Sequence, residues 1–583
     1  MNYAYERNEQ IIKSKTREFL GIGSVVTASA YLDYVIDFIL IGGILGADAV
    51  AAAGLCDSMV DIAEFPGFVL SSGGSIAAGI LLGKRKRQQA NVVFTVSFLL
   101  ALLGGLLCCC LLPFCDLFSG ILTNNGTIAG DVSRYTFLTL LSAPLTGVNL
   151  ALSSFAILDN HSKLAMAQVI TSNVANLALD FLFMGCMDMG VSGAAAATLV
   201  GTILSILVGS RYLFSPKRSF RFVLPQGDVL GTFRTLSASS SSFAFDKASR
   251  IAAGLAVNMV LMYFVGNIGV TLYAIFSRLK FILRILVGGA LKTISTLGSM
   301  LYGERDFFGI RKMMAIIFKY TYTVTAVVVI ALFLAPGTFL QFYGIDVSNS
   351  GSHIVFAFRL MLLSLPIFWM NDLVNMYYIS IQRQSLSVLL LALQNVVFRV
   401  LLLWPCVALA SHWATGGLSG VALWCCLVES LSLAATLAWE KVRYGHIAIW
   451  KKGDERTLGC HIFSISGKPE SVADIHEEIA RFCVENGIPK NKGNLLAIAF
   501  EEAALNIINH SKSVDTIDIC LLLEDGNLIV RIRDNGTKFD PLEYEDESDI
   551  LHLNNIKLLE KITDKKDYTR IMNMNNTVLS IRL

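Results

Sequence analysis

The chain has 583 residues, of which 54% are hydrophobic, and its mean hydropathy is +0.60. A soluble protein of this size cannot expose so much apolar surface, so the composition excludes an ordinary soluble enzyme and indicates a polytopic membrane protein. The net charge of +2 hides an asymmetry. Residues up to 452 carry 32 basic and 22 acidic side chains, whereas the remaining residues carry 15 and 23. A basic membrane part therefore precedes an acidic, soluble tail.

Apolar segments long enough to cross a bilayer follow one another before residue 441. The predicted spans are 18–44, 62–82, 92–114, 132–157, 164–186, 191–213, 236–265, 268–300, 313–335, 353–379, 386–409 and 417–440. The polar, charged residues 1–17 are interpreted as a cytosolic segment without a cleavable signal. The predicted fold class is an all-α membrane domain of twelve transmembrane helices, followed by a linker, 441–459, and a cytosolic α/β domain, 460–583.

Basic residues are concentrated on one predicted side of the membrane. Clusters of Lys and Arg precede the first span, follow the second and follow the sixth, whereas the outer loops after spans 1, 3 and 9 carry none. Because positively charged loops remain in the cytosol, we expect both termini to be cytosolic in a multi-pass protein of the cytoplasmic membrane. Arg134, at the outer edge of the fourth span, is the exception.

Two short motifs occur twice in the chain. LLSAPLTGVNL (140–150) and LLSLPIFWMND (362–372) share LLSxP, and Asn149 and Asn371 each lie five residues after the Pro. GVSGAAAA (190–197) and GLSGVALW (417–424) recur at nearly the same spacing. This repeat predicts two six-helix lobes of equal orientation, 18–213 and 236–440, joined by a cytosolic linker at 214–235, with a substrate cavity between them.

Four polar residues of the first lobe fall at a similar predicted depth. Asp180 lies about 16 residues, or roughly 24 Å, from the cytosolic start of its span, which places it in the outer half of a ~30 Å apolar core. Counting along spans 1 and 6 brings Asp37 and Thr198 to a similar layer, and Asn176 shares a helix face with Asp180. We therefore expect one cluster of oxygen-bearing side chains from three helices.

The two carboxylates determine how this cluster is interpreted. In a low dielectric they cannot both stay ionised unless one holds a proton or a cation lies between them. Either outcome suits ion coupling, and a hard cation such as Na⁺ prefers oxygen ligands of the kind that this cluster offers. The structural alternative is that these groups only hydrogen-bond across helices and specify packing.

Several stretches of the first lobe resemble the multidrug and toxic compound extrusion (MATE) transporters. They are YVIDFILIGGILGADAVAAAGL, LLGKRKRQQAN, NLALDFLFMG and GVSGAAAAT, and the resemblance covers about residues 15–445. It implies a two-lobed fold of twelve helices and a Na⁺ or H⁺ site in the first lobe. By resemblance that site falls on Asp37, Asn176, Asp180 and Thr198, with Tyr135 beside it. Adding the repeat spacing of 222 residues to Asp37, Asn176 and Asp180 gives Met259, Phe398 and Leu402, none of which is a carboxylate. The second lobe therefore lacks this cluster, which predicts coupling through the first lobe only.

The second lobe has charged residues of its own. Asp246 and Lys247 begin span 7, Asp372 lies in span 10, and four basic residues follow one another along span 8: Arg278, Lys280, Arg284 and Lys292. Asp372 resembles an acid that some MATE transporters use for cationic substrates or for coupling. The basic residues pair with the two acids, reach the lipid headgroups or receive an anionic substrate. We take Asp246, Arg278, Arg284, Asp372 and Tyr135 as candidate substrate or coupling residues.

The tail has an α/β pattern. HIFSIS, IDICLLLED and NLIVRIRDN predict strands, and VADIHEEIARFCVENG and NKGNLLAIAFEEAALNIINHS predict helices. The boxes Glu502-Ala-Ala-Leu-Asn506 and RIRDNGTKFDP resemble the GHKL nucleotide-binding fold in its anti-sigma-factor serine-kinase branch.

This resemblance implies a Mg²⁺–ATP site in the tail. Asn506 would hold Mg²⁺, and Glu502 would act as a catalytic base. Asp534 would accept a hydrogen bond from the adenine amino group, and Gly536 would leave room for the adenine ring. Where the GHKL fold has a glycine-rich phosphate turn, this chain has Leu553 and Asn555, whose side chains crowd the phosphates. Two interpretations remain: a degenerate domain for protein contacts, or weakened ATP binding.

The first functional hypothesis is a secondary antiporter rather than an enzyme. Cation uptake through the first lobe would drive export of an organic solute or drug by alternating access, with the tail as a regulatory domain. The alternatives are a flippase for lipid-linked intermediates and a membrane sensor that signals through the tail. The sequence lacks GxxxxGK[ST], which disfavours an ATP-driven pump. The expected partners are the lipid bilayer, a small organic solute and a regulatory protein at the tail, with no nucleic acid.

Overall fold

The computed structural model describes residues 9–122, 126–216, 218–224, 229–342, 347–410, 417–449, 460–524, 526–541, 563–571 and 574–582. The chain forms two compact units. The larger unit is Thr16–Lys451, and the smaller one combines the described residues of Met1–Lys15 and of Lys452–Leu583. The larger unit is helical, whereas the smaller one contains a five-stranded sheet.

The helices of the first lobe follow the predicted order. They are α1 Gln10–Leu45, α2 Ala47–Gly83, α3 Arg87–Cys109, α4 Cys115–Leu122, α5 Gly126–Leu158, α6 Ser162–Asp180 and α7 Val191–Phe214. A π-helical turn, Phe181–Cys186, continues α6.

The second lobe contains more interrupted helices. They are α8 Val229–Phe264, α9 Asn267–Thr293, α10 Ser299–Gly303, α11 Phe307–Leu334, α12 Pro336–Phe342, α13 Val347–Leu362, α14 Leu365–Ser380, α15 Gln384–Ala392, α16 Phe398–Leu401, α17 Leu403–Ala410 and α18 Gly417–Tyr444. Two π-helical turns lie between these helices, at Ile294–Gly298 and Leu393–Val397.

By length and composition, nine helices within the described residues can cross a membrane. Together with the helical two-lobe plan they confirm a polytopic membrane fold. The prediction of an outer loop over residues 46–61 is wrong, because α2 already begins at Ala47. A tight turn at Gly46, with φ of 89°, reverses the chain there, and the Ala-rich stretch after it favours helix.

Small residues allow the helices of the larger unit to approach closely. A Cβ on Gly67 of α2 would lie 2.6 Å from Gly147 Cα of α5, so this contact requires glycine. A Cβ on Gly83 of α2 would likewise lie 2.8 Å from Gly303 Cα of α10, and α2 also packs on α8. Close packing of small residues is a main source of helix association in membranes. Helix α2 thereby joins the first lobe to the second.

The smaller unit is an antiparallel sheet covered by two helices. The strands are β1 Cys460–Ser466, β2 Thr516–Glu524, β3 Asn527–Asp534, β4 Lys565–Ile571 and β5 Met574–Arg582, in the order β1-β2-β3-β5-β4. Helices α19 Ala473–Glu485 and α20 Lys490–His510 bury Ile479 and Phe500 against Ile519 and Leu579 of the sheet. The predicted α/β class is confirmed, and β4 and β5 are additions to it.

Candidate functional site

The structure brings together the four polar residues that the depth count aligned in the first lobe. Helix α1 carries Asp37, α6 carries Asn176 and Asp180, and α7 carries Thr198. Asn176 and Asp180 are almost fully buried, and Asp37 is half-buried. The side chains of Asp37 and Asp180 are hydrogen-bonded to each other. Three helices therefore meet at one pair of carboxyl groups.

The Asn176 amide links the members of this cluster. With its nitrogen facing the carboxyl groups, it donates to Asp37 Oδ1 at 2.8 Å and to Asp180 Oδ2 at 3.0 Å. Its oxygen then accepts from the Thr198 backbone nitrogen at 3.2 Å and from Thr198 Oγ1 at 3.0 Å. This orientation satisfies both ends of the amide, and it fixes the distance between α6 and α7 at the cluster.

Local backbone features hold the three helices close at this level. A Cβ on Gly201 of α7 would lie 3.6 Å from Asn176 Cβ, so a small residue faces the amide. Closer to the amino-terminal end of α6, Asn173 Nδ2 donates to Ser29 O of α1 at 2.6 Å. The regular helix α6 ends at Asp180, where the π-helical turn begins. Such turns are frequent at functional sites, because they change the direction in which a side chain points.

Tyr135, predicted beside the site, lies one helical turn away from it. The Tyr135 ring packs against a buried apolar cluster that contains Ile41, Met184 and Ala194. These residues are each four positions from Asp37, Asp180 and Thr198 along α1, the α6 extension and α7. Tyr135 therefore closes the cluster on one side with apolar surface.

The donor set fits a monovalent cation or a proton. The carboxylate oxygens of Asp37 and Asp180 and the Thr198 hydroxyl are hard oxygen ligands, which suit Na⁺, whereas the Asn176 oxygen accepts from Thr198. Alternatively one proton shared between Asp37 and Asp180 removes the repulsion of the two charges. Either occupant would bring one positive charge to the carboxyl pair, to which the Asn176 nitrogen also donates.

The second lobe contains a polar network that the sequence analysis missed. In the first lobe, Gln168 Nε2 donates to Asn149 O at 3.0 Å, and Ser205 Oγ donates to Asn149 Oδ1 at 2.8 Å. In the second lobe, the network consists of Asn371, Gln394 and Glu429. Asn371, Gln394 and Glu429 follow Asn149, Gln168 and Ser205 by 222, 226 and 224 residues. The repeat therefore aligns the two networks. The serine of the first lobe is replaced by a carboxylate in the second.

Glu429 is almost fully buried and well bonded. Its Oε2 accepts from Asn371 Nδ2 at 2.8 Å and from Gln394 Nε2 at 2.7 Å. Arg399 Nη2 lies 3.9 Å from Glu429 Oε1 and supplies the opposite charge. The second lobe thus balances its buried acid with an arginine of its own. An ionisable residue within span 417–440 was the sequence signal that should have identified Glu429.

The charged candidates of the second lobe are only partly brought together. Arg284 Nη2 lies 2.6 Å from Asp372 Oδ2, and both side chains line a cavity of about 210 Å³ together with Asp246. Arg278 is exposed and does not line this cavity. Lys280 lies over the rings of Tyr273, Phe276 and Phe368 instead.

In the tail, the predicted nucleotide residues lie at one end of the sheet. Asp534 ends β3 and is almost fully buried, Gly536 follows it, and Asn506 is buried on α20 one turn after the half-buried Glu502. Asn506 Nδ2 donates to Pro541 O at 3.3 Å, which orients the amide, whereas Mg²⁺ would be held by the amide oxygen, Oδ1. The phosphate-turn prediction at Leu553 and Asn555 lies outside the described residues.

Asp534 is already supplied with donors by the same domain. Its Oδ1 accepts from Gly536 N at 2.9 Å and from Asn575 Nδ2 at 2.8 Å. Arg570 Nη1 donates to Asn575 Oδ1 at 2.7 Å and thereby orients that amide. Burial raises the pKa of Asp534 to about 6, although these hydrogen bonds and Arg570 act in the opposite direction. An adenine amino group would have to compete with Asn575 for this carboxylate.

We expect the full-length protein to bind Mg²⁺–ATP weakly or not at all. The reason is that Asn575 already donates to Asp534 Oδ1 and that the bond from Asn506 Nδ2 to Pro541 O fixes the orientation of the Asn506 amide. Isothermal titration calorimetry measures this, with Asn506→Ala as the site variant and Asn494→Ala, exposed on the same helix, as its control. Submicromolar binding that disappears only in Asn506→Ala would contradict the expectation.

We also expect Asp534→Asn to stabilise the tail above pH 6. Because the folded pKa is raised from 3.8 to about 6, the ionised form is disfavoured in the fold. The resulting cost is absent below pH 3.8, grows as the pH rises to about 6 and then stays constant. It amounts to about 2–3 kcal/mol at 1.36 kcal/mol per pKa unit.

Hydrogen exchange in β3, compared between wild type and Asp534→Asn at equal pH, measures this cost. Greater protection in the variant at pH 8, with equal protection at pH 4, is the expected result. Equal protection at both values would show that Asp534 carries no ionisation cost.

Comparison with known proteins agrees with both units. Residues 24–182 match the family model MatE, and residues 465–580 match that of the histidine kinase-like ATPase domain. DNA damage-inducible protein F of Escherichia coli (strain K12) is 26% identical over 162 residues, which are 27% of this chain and 35% of that protein. The match therefore spans about a third of that relative's length.

Solved structures share the fold of the membrane unit. A MOP superfamily transporter from Pyrococcus furiosus, described as having a binding pocket of reverse polarity, gives a TM-score of 0.67 at 20% identity, covering 76% of this chain and 97% of its own. An outward-facing multidrug resistance MATE family transporter gives 0.67 at 20% identity, covering 74% and 96%.

The fold and these matches define a multi-pass membrane protein with a MATE-like fold. The chain joins a membrane domain with the fold of the MATE transporters of the MOP superfamily to a carboxy-terminal histidine kinase-like ATPase domain. The recognition of both folds from sequence is thereby confirmed.

Proposed function

We propose that the protein is a cation-coupled antiporter that exports an organic solute across the cytoplasmic membrane by alternating access, with both termini in the cytosol. The observation that supports this most directly is the bonded cluster of Asp37, Asn176, Asp180 and Thr198. Two carboxyl groups that bond to each other and to the same neutral amide attract a positive charge, because it relieves the repulsion between them. A MATE-type fold gives such a cluster a place in a transport cycle.

The coupling cation is Na⁺ or H⁺, and it binds in the first lobe. The contrast with the second lobe supports this assignment, because Glu429 has Arg399 at 3.9 Å whereas Asp37 and Asp180 bond to neutral side chains and to each other. A carboxylate that is balanced by an internal arginine gains little from an external cation. The first lobe therefore carries the exchange, and the second lobe supplies substrate contacts.

The tail acts as a regulatory domain rather than as an enzyme. Support comes from Asp534 Oδ1, which accepts from Asn575, and from Asn506 Nδ2, which donates to Pro541 O. The sheet and its two helices then present a surface for a cytosolic regulatory protein. Transport is expected to proceed without ATP in the reaction.

Reconstitution into proteoliposomes tests this proposal. Solute efflux is followed under an imposed Na⁺ or H⁺ gradient for a panel of cationic, neutral and anionic dyes, with empty liposomes and ATP-loaded vesicles as controls. The expected result is efflux driven by one cation gradient in the absence of ATP. Efflux that requires ATP, or a lack of efflux under both gradients, would contradict it.

A further inference from the structure

The larger unit contains a central cavity with an unusual charge pattern. The cavity has a volume of about 210 Å³ and lies between α1 and α2 of the first lobe and α8, α9 and α14 of the second. Its charged lining residues are Asp246, Arg250, Arg284, Lys292 and Asp372. Three basic side chains thus face two acidic ones in a largely apolar surrounding.

The two acids of the cavity are already neutralised. Asp372 lies 2.6 Å from Arg284 Nη2 and 3.4 Å from Arg250 Nη2. Asp246 Oδ1 lies 2.7 Å from Arg250 Nε. A cationic solute would have to displace an arginine that cannot lose its proton, and it would meet the repulsion of the other basic groups. The pattern disfavours Asp372 as a receptor for an organic cation.

Lys292 is the basic residue of the cavity that has no acidic partner in the described part of the chain. Its Nζ lies 3.4 Å from Ser154 Oγ, which is a weak neutral contact. A lysine ammonium removed from water gains most from a negative charge placed beside it. Ser242 lines the same cavity, is fully buried, and its hydroxyl has no hydrogen-bond partner within the described residues. Both groups can donate to an acidic group.

The aromatic part of the cavity lining suits an aromatic body. Phe68 and Phe243 line the cavity and are perpendicular to each other, with their ring centroids 5.9 Å apart. Such an edge-to-face pair accepts a further flat ring. Lys247 lies over Phe68 at 5.6 Å and is paired with Asp61 and Glu64, so its charge is balanced there. The cavity therefore combines an apolar aromatic wall with an unpaired positive group.

We propose that the cavity binds a soluble organic anion with an aromatic body, and that Lys292 receives its carboxylate. That this anion is a transported substrate rests on the proposed transport function, whereas its binding in the cavity does not depend on transport. Arg250 and Arg284 remain paired with the acids and set the net positive charge of the cavity. The anionic group of a lipid would satisfy the same chemistry, so the test separates the two sources.

Binding to the purified full-length protein tests the proposal in the absence of transport. The probes are 1-pyrenebutyrate and a pyrene of equal chain length that ends in trimethylammonium. We expect the anion to bind more tightly than the cation, and Lys292→Met to weaken anion binding about tenfold or more, as loss of a desolvated charge pair does. Lys292→Arg, which keeps the charge, should bind within a few fold of wild type. Lys280→Met is the matched control, since Lys280 lies on the same helix outside the cavity.

Three results would overturn the proposal. One is tighter binding of the cation by the wild type, and another is equal anion binding by Lys292→Met and wild type. The third is displacement of 1-pyrenebutyrate when neutral nanodiscs are replaced by discs that contain phosphatidylglycerol, which would make the site a lipid-headgroup site. Anion binding that depends on Lys292 without any gradient-driven efflux would instead refute the transport function and leave the binding site intact.

Discussion

Asp37→Asn and Asp180→Asn are each expected to abolish cation-driven export while leaving the protein as stable as the wild type or more so. Either change keeps the shape of the side chain and an oxygen that accepts from Asn176. It removes the second negative charge that makes a proton or a cation necessary at the cluster. Loss of one carboxylate also relieves repulsion between the two, so unfolding should not become easier.

Gradient-driven efflux and the apparent melting temperature are measured on the same preparations. Asp188→Asn is the matched control, because Asp188 is exposed and its φ of 52° is tolerated well by Asn. If the cluster only specified packing, the two site variants would lower the melting temperature and leave residual export. Wild-type export in both variants would refute the coupling site.

Glu429→Leu is expected to lower the free energy of unfolding by about 3–5 kcal/mol, as removal of one partner from a buried charged pair does. The change leaves the amide nitrogen of Gln394 without its acceptor and Arg399 without a nearby carboxylate, and Asn371 Nδ2 keeps only the backbone oxygen of residue 429 at 3.0 Å. Glu429→Gln keeps an acceptor oxygen, so we expect it to cost about 1 kcal/mol.

Unfolding in mixed SDS and dodecyl maltoside micelles measures both Glu429 variants. The double variant Glu429→Leu with Arg399→Met removes the charge on both sides, and it should recover part of the loss. Equal stability of wild type and Glu429→Leu would show that this network contributes nothing to the fold.

The two lobes use the same polar scaffold for different purposes. Asn149 and Asn371 hold corresponding networks, but Ser205 of the first lobe corresponds to Glu429 of the second. Glu429 is accompanied by Arg399, whereas Asp37 and Asp180 are bonded to Asn176. Arg399 balances the charge of Glu429 within the second lobe, whereas the two carboxyl groups of the first lobe are bonded to each other, which supports coupling in the first lobe.

Residue counting predicted the first-lobe cluster because helical rise is constant. A rise of about 1.5 Å per residue converts sequence position into depth, and i, i+4 spacing places Asn176 and Asp180 on one face. The same method missed Glu429, because only the shifted positions of Asp37, Asn176 and Asp180 were considered. Glu429 corresponds to Ser205, which gives no charge signal in the first lobe.

The other features that could not be predicted from the sequence depend on contacts between residues that are distant in the chain. Asp534 and Asn575 are paired neighbours on β3 and β5, although they are 41 residues apart in the chain. The position of Lys280 over three rings depends on Phe368, which belongs to another helix. Neither contact has a local pattern in the sequence. The helical start of α2 was hidden for a different reason, since weak hydropathy at residues 46–61 was interpreted as a loop.

Simultaneous recording of cation influx and solute efflux in the same proteoliposomes tests the central claim most directly. Wild-type vesicles should take up Na⁺ or H⁺ only when an exportable solute is present inside, and both fluxes should disappear together in Asp180→Asn. Solute efflux that continues at the wild-type rate in Asp180→Asn, or cation influx that is independent of solute, would contradict coupling at the Asp37–Asp180 cluster.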